Sequence, residues 1–136
     1  MTISNDNKMI AKTALQTFGG KPNVSKYWDD KNDSHIDLLS TINKPYEGIT
    51  SYSTIGLSDY SIGYAVDAKP LRTEIVGASA SKFELFLNIL STCAFYVINT
   101  KFSIYHGKIF RDIIRMYYQD SEMEHVLFTA PFYGKI

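Results

Sequence analysis

The sequence predicts an α+β fold in which a mostly antiparallel or mixed β-sheet packs against helices. Two observations favour this class. The predicted elements run in the order helix, strands, helix, strands, and the connections between strands are too short for parallel neighbours. A third observation is the run of residues 48–60, where β-branched and aromatic side chains alternate without proline and predict a central strand.

The first part of the chain predicts a helix followed by two strands. Apolar side chains at helical spacing indicate a helix over residues 6–18, and the glycines and proline of residues 19–22 end it. Residues 24–28 are predicted to be extended and short. The polar, turn-rich segment 29–34 then connects them to a strand that begins near residue 36 and ends at residues 43–45.

The central strand follows directly, and its period of two sorts its side chains onto two faces. One face receives Ile49, Ser51, Ser53, Ile55 and Leu57, and the other receives Thr50, Tyr52 and Thr54. The strand ends in Gly56, which permits a tight turn, and in Ser58 and Asp59, which can bond the backbone locally. We therefore expect it to carry Asp59 and Tyr60 to an edge of the sheet in a polar loop.

The second half begins with a segment of no clear period, residues 61–70, which we interpret as loop and irregular strand. Alternation over residues 71–75 predicts a further strand. Ser81 and Glu84 have the spacing of a capping box, which predicts that a buried helix starts there and ends near residues 99–100.

The last segment is compatible with two structures. Residues 109–118 fit a helix or a strand rich in β-branched and aromatic residues, and we favour the strand. Residues 126–130 alternate and predict a final strand that Pro131 ends.

Length and composition fit one domain over residues 1–136. The chain is 45% hydrophobic, with 10 tyrosines and 8 phenylalanines, which excludes a disordered chain. Its 14 basic and 14 acidic residues balance, which removes the electrostatic argument for direct nucleic-acid binding and argues against a DNA mimic. The single cysteine fits a reducing compartment, and no secretory signal or membrane span is evident. We expect a cytoplasmic protein.

Residues 45–60 carry a motif by which the chain resembles a known family. A Thr-x-Gly-Leu-Ser-Asp core at residues 54–59, entered through a Pro-x-x-Gly at residues 45–48, resembles the signature of the bacterial suppressor of fused-like domain. Further matches lie in order along nearly the whole chain, at residues 18–22, 72–75, 106–109, 123–128 and 131–132. The resemblance is strongest to the YqcF-type antitoxins, which are immunity proteins for secreted polymorphic toxins of the LXG class.

Two features depart from the family pattern. Gly107 is followed by Lys108, where the family usually has an acidic residue, and the family continues well beyond Pro131 and Phe132. We therefore expect a suppressor of fused-like domain that lacks a C-terminal part. Such a chain would expose sheet edges and apolar surface that need a partner, a second copy or a rearranged fold.

The resemblance implies a protein that binds a partner protein. An exposed acidic and aromatic patch could receive a basic protein surface, and the candidate contact residues are Trp28, Asp29, Asp30, Tyr52, Asp59 and Tyr60. Each has a simpler interpretation: the adjacent aspartates form a solvated turn, Asp59 ends its strand as an Asx turn, and the tyrosines, with Tyr64, fill the core.

Nothing in the sequence predicts a catalytic residue, a metal ligand or a cofactor. Cys93 lies in an apolar helix stripe, which indicates a buried and inert thiol. His35, His106 and His125 form no short ligand pair. The glycines at residues 19–20 lack the spacing of a phosphate-binding loop.

Three functions remain in order of preference. The first is an immunity protein that neutralises the C-terminal toxic domain, a nuclease, of an LXG-type toxin. The alternative is a general peptide-binding module, because eukaryotic members sequester a transcription factor and the sheet could accept an added strand. An enzyme is third, and would require Asp29, Asp33, His35 and Asp59 to converge in one pocket.

Overall fold

A computed structural model describes residues 4–100 and 103–129. The elements are α1 (Asn5–Phe18), β1 (Pro22–Trp28), β2 (His35–Ile42), β3 (Ile49–Ile55), a 3-10 turn (Leu57–Asp59), β4 (Ala65–Val66), β5 (Lys69–Pro70), β6 (Val76–Ala80), α2 (Phe86–Thr100), β7 (Ile109–Phe110), α3 (Ile113–Tyr117) and β8 (Val126–Leu127). The main sheet has the order β1-β2-β3-β6, and all three of its pairings are antiparallel. The predicted α+β class and the central position of β3 are confirmed.

Helix α1 forms where the sequence predicts it and covers one face of the sheet. The Ser4 hydroxyl accepts a hydrogen bond from the Asn7 backbone N–H at 3.1 Å, which satisfies a donor of the first turn. The helix ends at Gly19, whose φ of 80° favours glycine. Its buried residues, Ala14 and Phe18, pack with Leu39 and Ile55 of the sheet.

Helix α2 covers the opposite face and forms the larger core. Its buried side chains pack against Ile36, Leu38 and Tyr52 of the sheet. Both faces of β3 are therefore covered, because the sheet lies between two helices, and six of its seven residues are buried. Within the described residues, no helix is both long and apolar enough to cross a lipid bilayer.

The predicted strand over residues 71–75 is wrong, because the fourth strand is β6. The Ile75 backbone N–H donates to the Thr54 hydroxyl at 2.8 Å instead of to a backbone carbonyl, so regular pairing begins only at Val76. Strand β6 has the sequence Val-Gly-Ala-Ser-Ala, whose small residues give no apolar alternation. Pairing with β3 selects this conformation despite a weak local preference.

The predicted capping box is also wrong. Residues 81–85 form turns, and α2 begins at Phe86. The Ser81 hydroxyl lies 2.6 Å from the Thr50 hydroxyl of β3, so its partner is the sheet and not the helix terminus. The predicted end of the helix at residues 99–100 is confirmed.

The segment 109–118, whose sequence fits either a helix or a strand, contains one of each. Residues 109–110 form β7, but Ile113–Tyr117 are the helix α3, so the preference for a continuous strand was wrong. Asp112 adopts a left-handed conformation with φ 63°, which ends the extended chain. Strand β8 pairs with β7 and ends at Leu127, so the predicted strand is wrong over residues 128–129. Its predicted end at Ala130 and Pro131 lies outside the described residues.

Candidate functional site

One end of the sheet collects most of the side chains that the sequence singled out. Trp28 pairs with His35 at the end of β1, and Ile55 pairs with Asp37 at the end of β3. The loops that leave these strands therefore emerge side by side, about 10 Å apart across two strand spacings. We call this surface the signature end, and it comprises Trp28, loop 29–34 and loop 56–60.

Loop 56–60 turns sharply away from β3. Gly56 has φ 108°, which only glycine adopts without strain, and a single 3-10 turn follows. The turn sends Leu57 into the core on the α2 face, whereas Ile55 belongs to the core on the α1 face. The expectation that these two residues share a face was wrong. Leu57 is 0% exposed, so it fixes the loop to the core.

Glu74 holds the same loop from the other side. Its Oε1 accepts hydrogen bonds from the Thr54 hydroxyl at 2.7 Å and the Leu57 N–H at 3.1 Å. Its Oε2 accepts from the N–H groups of Gly56 and Ser58, each at 3.1 Å, and from the Ser58 hydroxyl at 2.6 Å. Three successive backbone N–H groups of the loop therefore point at one carboxylate, as they do in an anion-binding nest. These hydrogen bonds fix the backbone conformation of the loop.

Sequence reasoning missed this role of Glu74. The alternation of residues 71–75 predicts only that Glu74 belongs to a strand, and no spacing links it to a loop 16–18 residues earlier. The available signal was the density of amides and hydroxyls in the Gly-Leu-Ser turn, which need an acceptor when they are withdrawn from water.

Two further hydrogen bonds connect the loop to its surroundings. The Arg72 Nη1 donates to the Ser58 carbonyl oxygen at 3.1 Å. The Asn7 side-chain amide donates to Asp59 Oδ2 at 3.2 Å, which connects the loop to the first turn of α1. Asp59 remains exposed, so it can meet a partner while it also orients the helix.

Loop 29–34 is organised by Asp29. Its Oδ1 accepts from the N–H groups of Asp33 and Ser34 at 2.9 and 3.3 Å, and its Oδ2 accepts from the Asn99 side chain of α2 at 2.9 Å. Desolvation alone would raise the pKa of Asp29, but these hydrogen bonds favour the carboxylate and hold its pKa below the usual range. Asp29 is thus a structural residue of the signature end, whereas Asp30 is exposed.

A lowered pKa predicts how the Asp29→Asn variant responds to pH. The ionised group stabilises the fold above its unfolded pKa of about 4, and the contribution disappears as the pH falls through the lower folded pKa. We expect the variant to have a lower free energy of unfolding than the wild type at pH 7 and the difference to vanish at acid pH. Urea titrations between pH 7 and about pH 2.5 measure this difference in the free energy of unfolding, with Asp30→Asn as the matched control. A difference that grows on acidification would contradict the prediction.

The aromatic candidates separate into surface and core residues. Trp28 is 48% exposed and its ring lies 4.9 Å from that of His35. Tyr60 is half-buried against the α2 core. Tyr52 is 5% exposed, with its ring 5.0 Å from Phe86, so it is a core residue and does not belong to the signature end. Tyr64 is 46% exposed, and its ring lies edge-to-face with that of Tyr105.

The four residues that an enzyme would have to bring together lie outside the two cavities found among the described residues. Asp29, Asp33, His35 and Asp59 line neither of the two cavities that flank the sheet. Cys93 is confirmed as buried, at 0% exposure, and desolvation raises the pKa of its thiol to about 12, which leaves it protonated and unreactive.

One cluster outside the signature end has the composition of a cation site. His125 Nδ1 lies 3.7 Å from an Asp112 carboxylate oxygen, and its Nε2 lies 3.5 Å from Glu124 Oε2. The Asp112 N–H, however, donates to His125 Nδ1 at 2.8 Å. A neutral imidazole that accepts at Nδ1 carries its proton on Nε2, so neither nitrogen presents a lone pair to a metal in this arrangement.

Charge is distributed unevenly between the two ends of the sheet. Loops 29–34 and 56–60 contain four aspartates and one lysine, and Arg72 lies beside them. The turns at the other end, residues 43–48 and 81–85, contain two lysines and two glutamates. The signature end is therefore acidic although the whole chain is neutral.

Comparison with known proteins identifies the family to which this chain belongs. The family model described as suppressor of fused protein matches residues 32–135, which include β2, β3 and the complete Gly-Leu-Ser-Asp loop. The chain belongs to the suppressor of fused family. A relative from Bacillus subtilis (strain 168), named immunity protein YqcF, is 53% identical over 132 residues, which cover 97% of this chain and 69% of the relative. No solved structure matched the chain.

Proposed function

We propose that this suppressor of fused-family protein is an immunity protein. It binds the C-terminal toxic domain of a cognate LXG-type polymorphic toxin in the cytoplasm and neutralises it, and that domain is a nuclease. Residues 1–136 act in this proposal as one binding domain without catalytic chemistry or cofactor. The observation that carries the proposal is the 53% identity over nearly the whole chain to a relative named as an immunity protein.

The signature end is the proposed contact surface. Nucleases bind a polyanion and present basic grooves to it, so an acidic surface is complementary to such a groove. Trp28 offers an exposed aromatic ring at the same end of the sheet as the exposed Asp30 and Asp59, and tight interfaces commonly combine an aromatic side chain with surrounding charge. Tyr60 contributes its half-buried ring, whereas Asp29 shapes the surface through its hydrogen bonds.

Rigidity of the two loops supports this role. Loop 56–60 is fixed by Leu57 and Glu74, and loop 29–34 is fixed by Asp29. A preorganised surface loses little conformational entropy on association, which matters for an inhibitor that must bind its toxin tightly.

The test of the function is co-expression with the toxic domain encoded beside the gene for this chain. Growth rescue, together with co-purification of a stable complex, is the expected result. A folded chain that neither rescues growth nor binds the domain would overturn the assignment. Nucleic-acid degradation in cells that express the toxic domain alone tests the nuclease part separately, and intact nucleic acid in dying cells would contradict it.

Substitution of Trp28 tests the proposed contact surface. We expect Trp28→Ala to raise the Kd for the inactivated toxic domain by about 30-fold, because a central aromatic contact contributes about 2 kcal/mol. Tyr46→Ala is the matched control, since Tyr46 is 70% exposed at the opposite end of the sheet. Calorimetric titration measures both constants. Loss of affinity in the Tyr46 variant alone would place the interface elsewhere and leave the immunity function standing.

A further inference from the structure

Thr54 and the turn of residues 56–58 surround the Glu74 carboxylate with hydrogen-bond donors. The Thr54 hydroxyl donates to Oε1 at 2.7 Å and the Ser58 hydroxyl donates to Oε2 at 2.6 Å. The backbone N–H groups of residues 56, 57 and 58 complete the set, each at 3.1 Å. The Thr54 hydroxyl oxygen accepts from the Ile75 N–H at 2.8 Å, so its one proton is left for Glu74. Five donors therefore face one pair of oxygens.

The charge of this site is held by dipoles and not by a cation. In the part of the chain that the structure describes, no lysine, arginine or histidine forms an ion pair with Glu74. A planar group with two oxygens and a single charge satisfies the five donors. A tetrahedral dianion would bring further oxygens and a second charge that the site does not neutralise. The donor set is thus complementary to a monocarboxylate.

Cavities reach Glu74 from both faces of the sheet. On the α1 face, a cavity of about 430 Å³ is lined by Glu74 together with Ser53, Val76 and residues of the helix. On the α2 face, a larger cleft of about 1060 Å³ also has Glu74 in its lining. Because both spaces adjoin the side chain, shortening Glu74 would open the five donors to a small solute.

We propose that Thr54 and the turn of residues 56–58 form a carboxylate-binding site, in which Glu74 is a tethered ligand that a free monocarboxylate can replace. Truncation of Glu74 to alanine removes Cγ, Cδ and both oxygens, and acetate contains the same set of non-hydrogen atoms. Acetate therefore fits the vacated site with its carboxylate on the five donors and its methyl group in the place of Cγ.

The wild-type chain excludes free acids from this site. Glu74 is attached to the chain beside the donors, and a tethered group acts at a high effective concentration that a dissolved acid does not match. The inference concerns the free chain alone, so it does not depend on the immunity function.

Urea unfolding of the full-length Glu74→Ala variant at pH 7 tests the proposal. The unfolding equilibrium constant is compared in sodium acetate and in sodium chloride of equal ionic strength. With a Kd of about 10 mM, acetate at about 100 mM should lower this constant about tenfold, and the effect should saturate. Acetamide has the shape of acetate but lacks the charge and one acceptor oxygen, so it should change the constant by less than about twofold.

Leu57→Ala is the matched control for general effects of the salt. This substitution weakens the same turn while Glu74 still occupies the site, so acetate should change its unfolding equilibrium constant by less than about twofold. If Glu74→Ala is unfolded in chloride, the same solutions are compared at a fixed concentration of trimethylamine N-oxide, which favours the folded chain by exclusion from its surface.

Amide resonances locate the bound acetate. Titration of acetate into Glu74→Ala should move the resonances of Gly56, Leu57 and Ser58 towards their wild-type positions, with the Kd found by unfolding. The proposal fails if chloride or acetamide stabilises the variant as much as acetate does, or if Leu57→Ala gains equally. It also fails if these three amides do not respond, because acetate would then bind elsewhere.

Discussion

The Glu74→Ala variant is expected to lose at least about 3 kcal/mol of its free energy of unfolding. One side chain accepts five hydrogen bonds from loop 56–60 and β3, and removing it leaves three backbone N–H groups without their acceptor in a partly buried turn. Urea denaturation followed by circular dichroism measures the loss. The loop should also change conformation, which amide chemical shifts of Gly56, Leu57 and Ser58 would report.

Glu84→Ala is the matched control for this substitution. Glu84 is an exposed glutamate in the turn that precedes α2, and its removal should change stability by less than about 0.5 kcal/mol. Glu74→Gln separates the effect of charge from that of shape, because the amide retains one acceptor oxygen. The free energy of unfolding of this variant should lie between those of Glu74→Ala and the wild type. Equal stabilities of Glu74→Ala and Glu84→Ala would contradict the role assigned to Glu74.

The Leu57→Ala variant is expected to be destabilised by about 3–4 kcal/mol. Leu57 is 0% exposed, and truncating a fully buried leucine removes its transfer free energy and leaves a cavity that surrounding side chains fill only partly. Thermal unfolding and urea denaturation both measure this loss. Because Leu57 and Glu74 hold the same turn, we expect the double variant to lose less than the sum of the two single losses.

Leu127→Ala controls for the chemical change alone. Leu127 is 61% exposed, so the same truncation should cost less than about 0.5 kcal/mol. If Leu57→Ala were no more harmful than Leu127→Ala, the signature leucine would not be a core residue. If the proposed contact surface is correct, both loop variants should also perform worse than their controls in a neutralisation assay, since that surface depends on a fixed loop.

The position of Glu74 gives the family signature a physical explanation. The glycine allows the turn, the leucine enters the core, and the serine presents its N–H and hydroxyl to the carboxylate. Asp59 is left exposed and bonded to α1. Three of the four signature residues thus shape the loop, and Asp59 is the one that can meet a partner directly.

The sequence by itself determined those helices and strands whose local conformational preference agrees with the packing around them. The apolar spacing and glycine stop of α1, the alternation of β2 and β3, and the apolar stripe of α2 each predicted the observed element. The short connections predicted antiparallel pairing, because geometry excludes a crossover of that length. The motif at residues 45–60 identified the family.

Tertiary contacts decided what local preference could not. Strand β6 consists of small residues that acquire strand structure only by pairing with β3, and Ser81 bonds Thr50 in the sheet instead of capping α2. The division of the tyrosines into core and surface, and the contact of Glu74 with loop 56–60, likewise join residues distant in sequence. A sequence pattern reports a residue's preference for a conformation, whereas its partners are chosen when the whole sheet and both helices pack together.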